Sequence, residues 1–384
     1  MNKAFKYIVF CLIVIICFAC TEPYTPEINK YENILIIDGL ITDQPNPVVK
    51  LSRGFHYNKS ENIPESRATV IIRDDQENVI SFYEESPGIY CPLDSGFKGV
   101  IGRNYQVLIY TEDDQRYESD FVELKKVPGI ENLFAEFGEK PVEKDLEKGF
   151  HIYVDTYDPD NETRYYRYDF EETWEFTVPY PSRFELVGRE LRLRSVIPYL
   201  CWRTEYNTDI LLVSTEKMES DIVRRFPVHF VSTIGNRLSR RYSILVKQYT
   251  LSREAYIFWN QLRINNQNLG TLFDKQPAQI FGNIHNLDGN GSPVLGFFEA
   301  SSMTSKRLFL ENADLPPNVR IESEFEYCRN EYFIVETRRA LNYALSGNCV
   351  VKEETSDIFG MGIITDHKCC DCTFTGSNIK PDFW

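Results

Sequence analysis

The sequence predicts a mainly β protein: an N-terminal sandwich followed by a larger β-rich region with one or two helices. Three observations predict it. Tyrosine (23) and phenylalanine (26) are abundant and methionine (4) is scarce, and aromatic and β-branched chains suit a pleated, half-buried surface. Short apolar runs bounded by Gly, Pro, Asn and Asp recur along most of the chain. Helical spacing of apolar residues appears in only two places. The 384 residues are 42% hydrophobic and 26% charged, an ordinary globular composition with length enough for two cores. The formal net charge of −15 supplies no basic face. It argues against nucleic acid as a partner and against charge-driven adsorption to an anionic membrane.

The elements follow in order. Apolar runs at 34–40, 48–51, 68–72, 79–83, 105–110 and 117–124 alternate with turn residues such as Gln44-Pro45-Asn46-Pro47, Asp74-Asp75, Ser86-Pro87-Gly88 and Glu112-Asp113-Asp114. Strands at this spacing are the signature of an immunoglobulin-like sandwich, expected over 31–125. Tyr105 follows Gly102-Arg103-Asn104 and is a candidate tyrosine corner. Lys125-Lys126-Val127-Pro128-Gly129 is the expected boundary. Beyond it, 126–384 stays β, with runs at 150–156, 165–177, 186–196, 210–214, 228–233, 242–249, 294–300 and 307–310. Ser252 as N-cap and Glu254 in the first turn open a helix. Ala255, Phe258, Trp259 and Leu262 give it one apolar face, and it should end near Asn265-Asn266. A second helix is expected over 331–345, with Ile334, Leu341 and Leu345 on one side and Gly347 as its stop.

The start of the chain reads as an address. Lys3 and Lys6 precede an apolar run from Tyr7 to Phe18 that ends at Ala19-Cys20. About a dozen apolar residues match a signal-peptide core and fall short of a bilayer span. A small residue before Cys at the end of such a run resembles the bacterial lipobox, although Cys17 and Phe18 stand where Leu and a small residue are usual. The expectation is a lipoprotein signal peptide over 1–19, a lipid on Cys20 and an extended tether over 20–30 rich in Thr and Pro. An ordinary secretory signal cut nearby, or a short anchor, is the alternative. Cleavage removes two lysines and leaves a charge of about −17.

Ten cysteines are present. Cys11 and Cys17 leave with the signal. An exported protein meets an oxidising compartment, where disulfides are the default. Cys91 stands alone and is expected as a small buried apolar residue. The disulfide candidates are Cys201, Cys328, Cys349, Cys369, Cys370 and Cys372, in a pairing that sequence does not resolve. His367-Lys368-Cys369-Cys370-Asp371-Cys372 also suggests metal, but Cys-Cys-x-Cys without a second pair is not a zinc spacing. Stapling of the tail from Thr373 to Trp384 against the body is the preferred reading, ahead of metal and of a redox-active thiol, and no metal site is assigned.

Other constellations bear on chemistry. The five histidines make no His-Glu-x-x-His pattern, and there is no Gly-x-Ser-x-Gly elbow or phosphate loop. Asp155, Asp158, Asp160, Asn161 and Glu162 form either a calcium loop or, more simply, a turn. Tyr165, Tyr166, Tyr168, Trp174, Phe176 and Tyr180 form either a sugar-stacking face or, by alternation, half a core. Arg224-Arg225 and Arg240-Arg241 read as solvated strand ends. No catalytic residues and no cofactor are expected.

A larger pattern spans the mature chain. It comprises Asp38-Gly39-Leu40-Ile41-Thr42-Asp43, Gln248 to Tyr256 leading to Trp259, Leu272 to Ile284 with Gln276-Pro277-Ala278-Gln279, and Pro293 to Phe298. Ala300-Ser301-Ser302, Lys306-Arg307 and the closing Lys380-Pro381-Asp382-Phe383-Trp384 complete it. With the lipobox, it resembles the Bacteroidota outer-membrane lipoprotein family of the domain-of-unknown-function 4249 type. The resemblance implies a lipid-anchored protein of the outer membrane, on its cell-surface or periplasmic face, working with a TonB-dependent receptor barrel. The expected role is a non-enzymatic accessory that captures a small-molecule or glycan ligand, or covers the barrel mouth. The alternative is a structural subunit of an outer-membrane secretion or biogenesis complex.

Overall fold

Period-two alternation of buried and exposed residues, the pattern read along the sequence, organises the computed structural model. It describes residues 34–54, 63–142, 145–267, 280, 282–288, 294–354 and 360–384. The expected signal, Cys20 and tether lie outside the described residues. Nine strands come first: β1 (Leu35–Ile41), β2 (Val48–Arg53), β3 (Ile63–Pro64), β4 (Thr69–Asp74), β5 (Val79–Ser86), β6 (Ile89–Pro92), β7 (Asn104–Tyr110), β8 (Arg116–Ser119) and β9 (Val122–Glu123). Next are β10 (Ile130–Val142), β11 (Asp145–Asp158), β12 (Tyr165–Thr177), the hairpin β13 (Phe184–Val187) and β14 (Glu190–Leu193), β15 (Leu200–Tyr206), β16 (Leu211–Ser214), β17 (Asp221–Ser232) and β18 (Arg241–Thr250). Helix α1 (Arg253–Gln267) is followed by β19 (Ile284–Asn286), β20 (Val294–Ala300) and β21 (Met303–Glu311). The last part holds α2 (Cys328–Glu331), β22 (Tyr332–Glu336), α3 (Thr337–Leu345), β23 (Cys349–Glu354) and β24 (Gly360–Ile364). The mainly β expectation holds.

The first sheet has the order β19-β8-β7-β4-β5-β6-β2-β1-β20, with β3 on β2 and β9 on β7. It closes around one core that includes Ile37, Leu51, Ile72, Tyr90, Val107 and Phe298. Two of its strands come from beyond residue 125. β20 runs parallel to β1, from Leu35 opposite Val294 to Ile41 opposite Ala300, and β19 pairs antiparallel with β8. The sheets therefore do not divide at the sequence boundary: the N-terminal unit is completed by a return of the chain. Tyr105 is buried, and its hydroxyl accepts the Val100 N–H at 2.8 Å. That is the upstream backbone bond of a tyrosine corner.

In the second unit β10-β11-β17 packs against β15-β12-β18-β21, with β16 also on β12. Even-numbered residues of β12 (Tyr166, Tyr168, Phe170, Trp174, Phe176) point inward, toward Phe150, Ile152, Val154, Val223, Tyr242, Ile244 and Val246. Burial of each large apolar chain contributes roughly 1.5–3 kcal/mol. Glu172 shares this inward face and is matched there. Arg237 Nε donates to it at 2.9 Å, the Tyr242 hydroxyl donates at 2.9 Å, and His229 Nε2 lies 3.3 Å away. Burial pushes the Glu172 carboxyl up, but these partners hold it below the ordinary glutamate range.

Helix α1 begins as expected, with Ser252 Oγ accepting the Ala255 N–H at 3.0 Å. Ala255 and Phe258 are buried against Tyr165, Leu212 and Phe297. The expectation for 331–345 needs correction. Tyr332-Phe333-Ile334-Val335-Glu336 is strand β22, paired with β24, and only 337–345 is helical. Aromatic and β-branched residues in sequence favour the pleated surface, and Ile334 is exposed. Gly347 does stop the helix, at φ +89°. Cys91 also differs from expectation. It is partly exposed, with Sγ 3.5 Å from Glu85 Oε2. Among the described residues no helix is long and apolar enough to cross a membrane.

Candidate functional site

The two units meet along a seam stitched by the chain that links them. Ser302 N–H donates to the Lys125 carbonyl at 3.1 Å, and Val127 N–H donates to Ser302 Oγ at 2.6 Å. Gln248 Nε2 donates to the Pro128 carbonyl at 2.8 Å. Asp43 Oδ1 accepts the Met303 N–H at 2.9 Å, and Ser301 bridges Ile41 and Thr250. Backbone contact is also close within the first sheet, where β20 meets β1. A Cβ on Gly282 would lie 1.7 Å from the Gly296 carbonyl oxygen, and one on Gly296, at φ +123°, would lie 1.8 Å from that of Ile37.

The seam holds an open cavity of about 520 Å³. The 42–48 turn forms one wall, with Asp38 and Lys50 from the first sheet. Arg167, Asp169, Lys247 and Tyr249 come from the outward face of β12 and β18, and Trp259 comes from α1. At its centre the Arg167 guanidinium lies 4.8 Å from the ring centres of both Tyr249 and Trp259. Its Nη2 is 3.3 Å from Glu299 Oε2, and the Trp259 indole N–H donates to Glu299 Oε1. Arg167 Nε is buried and has no hydrogen-bond partner among the described residues. Burial drives the Glu299 carboxyl above its usual range; Arg167 and Trp259 oppose this, and Asp38 adds to it. Burial likewise pushes the Tyr249 hydroxyl up to about 12. A larger hollow of about 610 Å³ between Asn236 and Ile321 has mainly amide, hydroxyl, proline and aliphatic walls with Arg320. The seam cavity differs in offering charges of both signs beside aromatic rings, the equipment of a polar-ligand site.

The residues singled out in the sequence are distributed differently. The six C-terminal cysteines form three disulfides: Cys201–Cys372, Cys328–Cys369 and Cys349–Cys370. The tail they precede lies across the β15-β12-β18-β21 sheet. Trp384 Nε1 donates to Glu175 Oε2 at 3.1 Å, and Arg307 sits 3.5 Å over the Phe383 ring. In the Asp155–Glu162 segment β11 runs to Asp158 and a turn follows it. Asp158 accepts the N–H groups of Asp160, Glu162 and Thr163, while Asp155 faces Arg225. The aromatic run offers no stacking face: Tyr166, Tyr168, Trp174 and Phe176 are core, Tyr165 packs on Tyr256, and Tyr180 stacks on Tyr332. Arg224 and Arg225 pair with Glu131 and Glu136, and Arg240 and Arg241 with Glu175 and Glu311.

Sequence reading missed Arg167, Asp169, Lys247 and Glu299. Their signal was present in outward charges alternating with the aromatic core residues of β12, and in a lone carboxylate after Phe297-Phe298. Asp38, Tyr249 and Trp259 did belong to the pattern that carried the family resemblance, and the fold brings those separated segments together.

The profile of the family described as Domain of unknown function (DUF4249) matches residues 21–307. No curated protein matches. Among solved structures, the chain is similar to one titled "Biofilm associated protein - BSP domain", at 8% identity and a TM-score of 0.12, over 77% of this chain and 62% of that one. The chain thus spans about three fifths of that structure's length, and a likeness this slight bears on neither fold nor function.

Proposed function

The chain belongs to the DUF4249 family, and we propose that it is a lipid-anchored, non-enzymatic accessory protein of the outer membrane that captures a polar ligand for a TonB-dependent receptor. The observation that carries ligand capture is the seam cavity. Its Arg167 carries a buried Nε without a hydrogen-bond partner among the described residues, which is costly to the free fold, and the Tyr249 and Trp259 rings lie beside it. They are the features a polar or glycan ligand would repay by hydrogen bonding and ring stacking. Anchoring rests on Ala19-Cys20 and the tether that follows; two or more acyl chains give stable attachment where one is marginal.

The test is affinity capture of the native lipoprotein from solubilised outer membranes, with mass spectrometry of co-purifying proteins and native mass spectrometry for a retained small solute. A receptor barrel plus a solute, with the solute lost in Trp259→Ala, supports capture. Recovery of a secretion or barrel-biogenesis machine without a solute contradicts it and favours a structural subunit.

A further inference from the structure

We propose that Cys349, Cys370 and His367 form a redox-gated site for one d10 metal ion, closed as a disulfide and open to metal as a dithiol. Three observations carry it. First, the three ligand atoms lie within 4.8 Å of one another, the one such group of His, Cys, Asp or Glu ligand atoms among the described residues. The Cys201–Cys372 and Cys328–Cys369 bridges have no histidine or carboxylate in such a group. A three-coordinate ion with ligands at about 2.0–2.3 Å needs them roughly 3.7 Å apart, and the Cys349 Sγ to His367 Nδ1 distance is already 3.2 Å.

Second, His367 is oriented as a ligand. Its Nε2 bonds the Gly347 carbonyl, an acceptor, so Nε2 carries the proton. Nδ1 is then the lone pair, and it faces the cysteine pair. A backbone carbonyl holding the far N–H of an imidazole is the usual outer support of a metal-ligating histidine. The same turn fixes Cys370, because the N–H groups of Cys370 and Asp371 both donate to the His367 carbonyl, at 3.0 and 2.9 Å.

Third, His367 lines an open cavity of about 520 Å³ with Glu331, Asp366 and Phe374. The bridge itself is buried behind His367, with Cys349 6% and Cys370 0% exposed, and an external dithiol is the required reductant. Reduction breaks the Cys349–Cys370 bond as the dithiol closes its own disulfide, delivering two electrons and two protons. Metal binding then releases both thiol protons to solvent. Two thiolates and an imidazole satisfy Cu(I) with three ligands, or Zn(II) with a water as the fourth.

The experiment compares the full mature protein, oxidised and after anaerobic dithiol reduction, with Cys349→Ser/Cys370→Ser and with His367→Ala under the same treatment. Zn(II) and Cu(I) are titrated separately against chromophoric chelators, and circular dichroism checks that each sample is folded. The double variant, which retains the other four bridging cysteines, subtracts metal held by them. The expected result is one extra equivalent of Zn(II) or Cu(I) on reduced wild type, none on the oxidised protein, and a 10–100-fold weaker site in His367→Ala. Equal uptake of both ions by reduced wild type and the double variant, or unchanged affinity in His367→Ala, overturns the proposal.

Discussion

Gly296→Ala should test the pairing of β20 with β1 that completes the first sheet. Gly296 lies at φ +123° in β20, and a Cβ there would meet the Ile37 carbonyl oxygen at 1.8 Å. Side-chain contacts below about 3 Å are essentially never tolerated, so β1 and β20 must part by more than an ångström. That disturbs the parallel ladder that closes the first sheet. The disfavoured backbone costs about 1–3 kcal/mol, and each ladder hydrogen bond weakened adds about 0.5–1.5 kcal/mol. A total of about 3–5 kcal/mol is expected, a large share of a typical domain's stability. Gly102→Ala is the control. Gly102 also has positive φ, +83°, but nothing lies within 4 Å of its added Cβ, so only the conformational part applies. Urea denaturation followed by circular dichroism gives the two values, and hydrogen exchange on β1 amides locates the loss. A Gly296→Ala cost no greater than that of Gly102→Ala would refute the pairing of β1 with β20.

Other perturbations follow from the same structure. Cys20→Ser is expected to move the protein from the membrane to the soluble fraction on cell fractionation; retention at the membrane would exclude a lipid anchor. Opening Cys201–Cys372 by paired alanine substitution frees a link between residues 171 apart; chain entropy puts the loss on the order of 5 kcal/mol, read as a lower unfolding midpoint and faster proteolysis after Thr373. Burial pushes Asp158 and Glu172 up, but hydrogen bonds more than offset it and hold both below their ordinary values. Their stabilisation is therefore full above the unfolded carboxylate range and lost as pH falls through the folded values. In a Glu299→Gln background, which removes the opposite contribution of that raised carboxyl, the melting temperature should be level from neutrality to about pH 5 and drop below about pH 4, and a drop that begins at pH 6 would contradict this assignment. Tyr105→Phe removes the acceptor of the Val100 N–H and should cost about 0.5–1.5 kcal/mol in the same denaturation assay.

Local chemistry made much of this legible from residues alone. Tyr165–Thr177 and Val294–Ala300 were read with the bounds the structure gives, because alternation on a half-buried strand is a local signal. The Ser252 cap and the Gly347 stop were likewise local. What escaped was long-range. Nothing in Val294–Ala300 states that its neighbour is Leu35–Ile41, some 260 residues earlier, so the expected boundary at 125 missed the return of β19 and β20. The 331–345 segment was misread because Ile334, Leu341 and Leu345 happen to share helical spacing, while the aromatic, β-branched run from Tyr332 to Val335 prefers the sheet. The seam site was hidden for a related reason. Asp38, Arg167, Tyr249, Trp259 and Glu299 lie on five separate segments, and only the closure of one sheet against another brings them together.

The most direct measurement is the intact mass of the mature N-terminal peptide from protein purified out of native membranes. The expected peptide begins at Cys20 and carries a diacylglyceryl group on the sulfur, with or without a further acyl chain on the amine. An unmodified terminus at any other residue would contradict the proposed anchoring at the outer membrane, and with it the proposed partnership with a receptor barrel.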